Sequence, residues 1–289
     1  MADQRRGGIA WTDETLNPIR ARHRATGKVG WYCQRVSDGC KNCYAATMNE
    51  WRGNGVDYTI PALTDVEPFL DEEILTAPLR WRRPRRVFLC SMTDLFAEFV
   101  PDEWIDRIFA VMAAAGQHTY QLLTKRPQRM CAYLGGFGTA PGRIWFHYIK
   151  ALGTVERAMA RGTFNWPLPN VWLGVSVEDQ ATADARIRLL LQTPAATRWV
   201  SYEPALGPVD FGLGRWIRLQ KTARSEIPGV SLWAVPGVYR AESNPNGALS
   251  VRSTGHTLLG VKPDEFERLP SLDWLVVGGE SGSQARPFD

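Results

Sequence analysis

No stretch of this 289-residue sequence approaches the roughly 20 apolar residues that a membrane helix needs. Its first residues, MADQRRGGIAW, lack the apolar segment of a secretory signal. A cytoplasmic protein without a membrane partner is the expectation. Histidine is scarce: His23, His118, His147 and His256 form no pair at metal-ligand spacing, and none is assigned a catalytic role. A large excess of one charge is lacking too. The formal net charge of +4 and the pI near 8.9 permit contact with nucleic acid without being its footprint. An even set of cysteines is also missing. Of the 5 present, Cys33, Cys40 and Cys43 crowd together, which in a reducing compartment reads as metal binding before disulfides. Cys90 and Cys131 sit in apolar surroundings and read as ordinary buried thiols.

What is present describes one large α/β domain over residues 1–289. Hydrophobic residues make up 44% and charged residues 22%, which fits a globular chain with a sizeable core. Short β-branched or aromatic runs end in polar clusters and lead into helix-like sequence. They are Val87 to Cys90, Thr119 to Leu123, Val171 to Val177, Thr197 to Ser201 and Trp274 to Val277. A weaker run at Gly8 to Thr12 is the expected first strand, with the cysteine loop, residues 31–45, directly after it. Helix starts follow at Pro101-Asp102-Glu103 and Glu178-Asp179-Gln180. About six β/α units imply a parallel sheet, closed or half closed as a partial (β/α)6 TIM-like barrel. Residues 211–262 break the repeat as an inserted segment with a hairpin expected from Ser231 to Val251. The chain stops at Asp289 shortly after the last strand, so the expectation is an open barrel or a longer natural product.

Chemistry in such a sheet gathers at the carboxyl ends of strands. Those ends hold Ser91, Asp94, Lys125, Arg126, Ser176, Glu178, Glu203 and Glu280. The cysteines are spaced C-x6-C-x2-C and lead into a helix-compatible stretch beginning at Tyr44. Three thiolates from one loop suit a [4Fe-4S] cluster, whose fourth iron stays open to a substrate or cofactor. A helix starting at Cys43 would aim amide N–H groups at it, and Lys41 and Arg35 add positive charge. The alternative is zinc on the same thiolates with a fourth ligand such as His23. No second C-x2-C or H-x3-H pair stands ready to complete that site.

The segments IAWTDETLNP, CQRVSDGCKNCYA, VFLCSMTDLFAEFVPDEWIDRIFAVM, QHTYQLLTKRPQRM, NVWLGVSVEDQ, RWVSYEPALGPVD and DWLVVGGESG, in that order, resemble the phage-associated three-cysteine-motif family, which is related to radical S-adenosylmethionine enzymes. The resemblance runs from about Ile9 to Pro287 and implies a partial barrel of the radical S-adenosylmethionine type. It also implies reductive cleavage of S-adenosylmethionine to a 5′-deoxyadenosyl radical, an electron donor, and a nucleotide or nucleic-acid substrate in phage DNA modification or repair. The usual spacing in such enzymes is C-x3-C-x2-C, from which this chain departs. Gly278-Gly279-Glu280 is similar to their GGE motif, which holds the methionine amino group. That motif follows their second strand, where this chain has Ser91-Met92-Thr93-Asp94. A separate three-cysteine-motif partner protein is implied as well, and other members continue beyond the GGESG strand.

Each rim residue has a plainer reading. Asp94 binds the cofactor's amino group or caps the next helix. Lys125 and Arg126 grip an anion or form a solvated turn before Pro127. Glu178 and Glu203 hydrogen-bond a ribose or substrate, or pair with Lys125 or Arg126. The run Arg80-Trp81-Arg82-Arg83-Pro84-Arg85-Arg86 is the best nucleic-acid candidate, but it precedes a strand and so belongs at the amino face. Trp31, Tyr32 and Tyr44 shield the cysteines or simply pack. Two other functions stand beside radical catalysis. One is a cluster- or zinc-stabilised nucleic-acid-binding or interaction protein, and the other is a hydrolase or transferase that uses the rim carboxylates.

Overall fold

A computed structural model describes residues 9, 11–135, 139–152, 164–211, 219–221, 238–243, 249–254, 266–268 and 272–277. In chain order the elements are β1 (Glu14–Leu16), β2 (Ile19–His23), β3 (Val29–Gly30), α1 (Tyr44–Arg52), β4 (Val66–Leu70), α2 (Glu72–Thr76), β5 (Arg86–Leu89) and α3 (Asp102–Ala114). They continue with β6 (Thr119–Thr124), α4 (Pro127–Gly135), α5 (Thr139–Leu152), β7 (Val171–Val177), α6 (Gln180–Gln192) and β8 (Thr197–Tyr202). Last come β9 (Leu219–Lys221), β10 (Val238–Ser243), β11 (Leu249–Thr254), β12 (Phe266–Arg268) and β13 (Trp274–Val277).

The main sheet is 8-stranded in the order β1-β5-β6-β7-β8-β13-β11-β10. Every neighbouring pair from β1 to β13 is parallel, and these six strands follow chain order across the sheet. β11 joins β13 antiparallel and β10 joins β11 antiparallel, which forms the hairpin expected in the insertion, shifted along the chain. The rest of that insertion, apart from a short β9–β12 pair, lies outside the described residues. Parallel strands need crossovers, and α3 and α6 supply two of them.

The sheet is strongly curled. Laid flat, five interstrand steps would separate β1 from β13 by about 24 Å. Yet the ring of Trp11, just ahead of β1, lies 6.1 Å from the ring of Trp274 in β13 and 5.0 Å from that of Trp199 in β8. Helices pack on the convex side, where Val87, Leu89, Tyr120, Leu122, Leu173, Val175 and Val177 meet Ile105, Ile108, Phe109 and Met112 of α3.

The first strand is Glu14–Leu16 and not the run Gly8 to Thr12, of which Gly8 and Ala10 lie outside the described residues. Nor does the cysteine loop follow the first strand directly. β2 and β3 intervene, and with β4, which follows α1, they form a small antiparallel sheet, β3-β2-β4, beside a second core of Ala21, Tyr32, Ala45, Val56, Tyr58, Val66 and Met92. Cys33 and Cys43 pack against that second core. No described helix is long and apolar enough to cross a membrane.

Candidate functional site

Side chains alternate across a strand, and the register shows what the concave face carries. Phe88, Gln121 and Trp172 share one level, and Gly174, Trp199 and Trp274 the next. A Cβ on Gly174 would stand 2.5 Å from the Trp199 ring, so only glycine lets that indole lie across β7. Trp199 is fully buried and its Nε1 donates to the Leu122 carbonyl at 3.1 Å. The amino-terminal half of the concavity is thus filled with aromatic rings. Toward the carboxyl ends the same rows turn polar: Ser176 and Ser201 face each other, followed by Glu178 and Glu203.

The cysteine loop lies over these polar ends and is tied to them at several points. Ser37 donates to Glu178 Oε1 at 2.9 Å, and a Cβ on Gly39 would come within 2.6 Å of the Glu178 side chain. Arg126 donates to the Gln34 carbonyl at 3.0 Å and to Asp94 at 3.1 Å. The Thr93 hydroxyl donates to the Tyr32 carbonyl at 3.0 Å, and Tyr44 donates to the Ser91 carbonyl at 2.7 Å. Asn17, beyond β1, donates to the Ser91 hydroxyl at 3.1 Å.

Asp94 is fully engaged. It accepts from the Thr124 hydroxyl (2.7 Å), the Lys125 amide (2.9 Å), the Phe96 amide (3.0 Å) and Arg126. Glu178 is nearly buried and pairs with Lys125 and with Arg186 at 3.1 Å. Burial raises its pKa, but the two cations outweigh burial and leave it below the ordinary value. Glu203 differs: burial pushes its carboxyl up, and its side chain accepts from the Ser201 hydroxyl at 3.1 Å. Among the described residues it makes no ion pair. Its charge also acts on Tyr44, so it faces the start of α1.

Cys43 is the residue before α1, in extended conformation. Burial raises its thiol while the amides of Ala46 and Ala45 lower it, as the start of a helix should. The neighbouring Cys40 raises it further and Lys125 lowers it. Burial and Asp94 push the Cys33 thiol up to about 12, Arg126 opposes them, and Cys43 adds to the rise. The three thiols therefore share one electrostatic neighbourhood, with Lys125 and Arg126 as its cations. Arg35, expected there, instead pairs with Asp57 at 2.7 Å. Among the described residues no three His, Cys, Asp or Glu side chains are grouped about the position of a single ion. His23 Nδ1 accepts from the Ala25 amide at 3.1 Å.

Of the residues singled out from sequence, Cys33, Cys40, Cys43, Ser91, Asp94, Lys125, Arg126, Ser176, Glu178 and Glu203 come together at this end. Ser176 donates to the Glu203 carbonyl at 3.0 Å. Gly278, Gly279 and Glu280 lie outside the described residues. Cys131 is only partly buried. In the basic run, the Trp81 ring is covered by Arg85 at 4.6 Å and edged by His118 at 5.5 Å, while Arg85 and Arg86 pair with Glu14 and Asp13. Arg82 and Arg83 stay exposed. Sequence reasoning missed Ser37, Gly39, Asn17, Ser201 and Arg186. The alternation Trp199, Ser201, Glu203 was a signal for Ser201, whereas no local pattern marks Arg186, which reaches Glu178 from within α6.

No curated protein and no solved structure matches the chain. A family model described as "protein of unknown function (DUF5131)" matches residues 6–289. The chain therefore belongs to the DUF5131 family of proteins of unknown function.

Proposed function

We propose that this protein is a radical S-adenosylmethionine-type enzyme, with a [4Fe-4S] cluster on Cys33, Cys40 and Cys43 at the mouth of a partial (β/α)6 barrel. The observation that carries this reading is the cysteine loop pinned by Glu178 and Arg126 above a polar concavity. The donor set fits the group. A cubane cluster takes each thiolate on a separate iron, and three thiolates leave one iron open. Lys125, Arg126 and the first amides of α1 oppose the burial that raises the Cys33 and Cys43 thiols, and so favour the thiolates a bound cluster would take.

A reduced cluster held by Cys33, Cys40 and Cys43 would supply one electron to cleave S-adenosylmethionine into methionine and a 5′-deoxyadenosyl radical. The chain's own residues bind and orient. Glu203, partly buried and making no ion pair among the described residues, is suited to receive the ammonium of the methionine moiety. Ser91, Ser176 and Ser201 offer hydroxyls around it, and Lys125 with Glu178 holds the loop. Asp94 clamps the loop through Arg126 and the turn after β6. The substrate class is a nucleotide or nucleic acid, supported by the basic balance of the chain and by the resemblance of its motifs.

Anaerobic reconstitution with iron and sulfide tests the reading, followed by electron paramagnetic resonance with and without S-adenosylmethionine. The expected outcome is a reduced [4Fe-4S] signal that shifts with the cofactor and disappears in Cys40→Ala. Stoichiometric zinc without a cluster would replace the reading with a zinc-stabilised interaction protein.

A further inference from the structure

Residues 81–85 lead into β5 without regular structure, and Arg82, Arg83 and Pro84 among them are exposed. The place of this segment is set from the turn between α3 and β6. His118 in that turn is buried, and both of its ring nitrogens are used. The Arg85 amide donates to Nδ1 at 3.2 Å, and Nε2 lies 3.1 Å from the Pro78 carbonyl. An amide can donate only to an unprotonated ring nitrogen, so Nδ1 carries the lone pair and Nε2–H donates to Pro78. One neutral tautomer thus satisfies both ends of the stretch 78–85.

The neighbours of the ring favour that neutral form. Trp81 meets the imidazole edge-on at 5.5 Å and Tyr120 of β6 does so at 6.2 Å. The charged group that faces it is the Arg85 guanidinium, which covers Trp81 and pairs with Glu14. Gln117 donates to the Trp81 carbonyl at 3.2 Å, and Asn170, ahead of β7, donates to the His118 carbonyl at 3.1 Å; both are uncharged. Among the described residues the imidazole makes no ion pair. Burial lowers its pKa, the Pro78 carbonyl opposes that, and Arg85 lowers it further, which leaves it below the ordinary 6.5. A proton on Nδ1 removes the acceptor of the Arg85 amide, sets two N–H groups against each other and adds a second positive charge beside Arg85.

We propose that His118 is an acid-sensitive latch: neutral, it holds residues 78–85 against the turn before β6, and protonated, it lets them go. The release is local, because the sheet beyond has ties of its own. β5 is paired on both sides, with β1 and with β6, and the Thr119 amide donates to the Arg85 carbonyl at 2.9 Å. What comes free is Trp81 with Arg82 and Arg83, at the amino ends of the strands and away from the cysteine loop. The latch is closed above pH 6.5 and opens as pH falls through the lower folded value. The inference does not depend on the cluster.

The test uses the full chain with isotope-labelled histidine. Imidazole NMR reads the tautomer, and hydrogen exchange corrected for its intrinsic rate reads the segment, both from about pH 8 to about pH 5. At the upper end His118 should show a bare Nδ1 and a protonated Nε2. Its protonation in acid should coincide with at least a tenfold loss of protection across residues 81–85, while β7 keeps its own. His118→Asn retains an acceptor for the Arg85 amide but takes no proton, so its protection should be equal at both ends of the range. A protonated Nδ1 at the upper end overturns the latch, and so does a ring that stays neutral throughout or one whose protonation leaves residues 81–85 protected. Equal loss in residues 81–85 and β7 overturns it too, since that is global unfolding, as does an acid loss that persists in His118→Asn. The wild-type titration decides the matter by itself should His118→Asn fail to fold.

Discussion

Glu178 and Glu203 follow neighbouring strands and face the same concavity, but among the described residues only Glu178 has cations against it. Replacing Glu178 by Gln leaves Lys125 and Arg186 uncompensated in a largely buried setting and should cost about 3 kcal/mol of unfolding free energy. Replacing Glu203 by Gln removes a desolvated carboxylate that makes no ion pair among the described residues. It should leave stability within about 1 kcal/mol of wild type, yet abolish binding of S-adenosylmethionine. Urea unfolding and equilibrium dialysis on the same two variants check both outcomes. The opposite ordering, with Glu203→Gln unfolding easily and still binding the cofactor, would remove Glu203 from the site.

At the scale of elements, α6 depends on its first turn. Asp179 accepts from the Thr182 amide at 2.8 Å, and the Thr182 hydroxyl closes a capping box. Asp179→Ala should therefore cost about 1 kcal/mol. The Thr182 amide holds the Asp179 carboxyl below its ordinary 3.8. Its contribution is present above pH 3.8 and lost as pH falls through the lower folded value, so urea midpoints for wild type and Asp179→Ala should converge in acid. This cap was legible in the sequence as Glu178-Asp179-Gln180, and so were β5 to β8 and β13, because alternating or continuous apolar runs mark them. The short strands β1 to β4 were not. The three-residue β1 and two-residue β3 carry no period, and the five-residue β2 and β4 show no clean alternation and pair with each other across more than forty residues of chain. The same limit applies to the site. The cysteines stood out by spacing and the rim carboxylates by position after strands. The pinning of the loop by Ser37 and Gly39 against Glu178 joins residues 141 positions apart, and no local pattern records it.

At the scale of the whole molecule, Trp11 touches Phe88, Trp199 and Trp274 and so ties the first parallel strand to the last two. Trp11→Ala should cost about 3 kcal/mol, weaken the near-ultraviolet circular dichroism of the indole cluster, and raise hydrogen exchange in β1 more than in β6. Equal protection of the two strands in the variant would show that the curl is held elsewhere. The same rings decide traffic. Among the described residues, tryptophans pack across the amino-terminal half of the concavity and close it at that end. In the proposed function a ligand bound beneath the cysteine loop would leave past that loop, so whatever covers this doorway during a reaction would also delay the exit of the product.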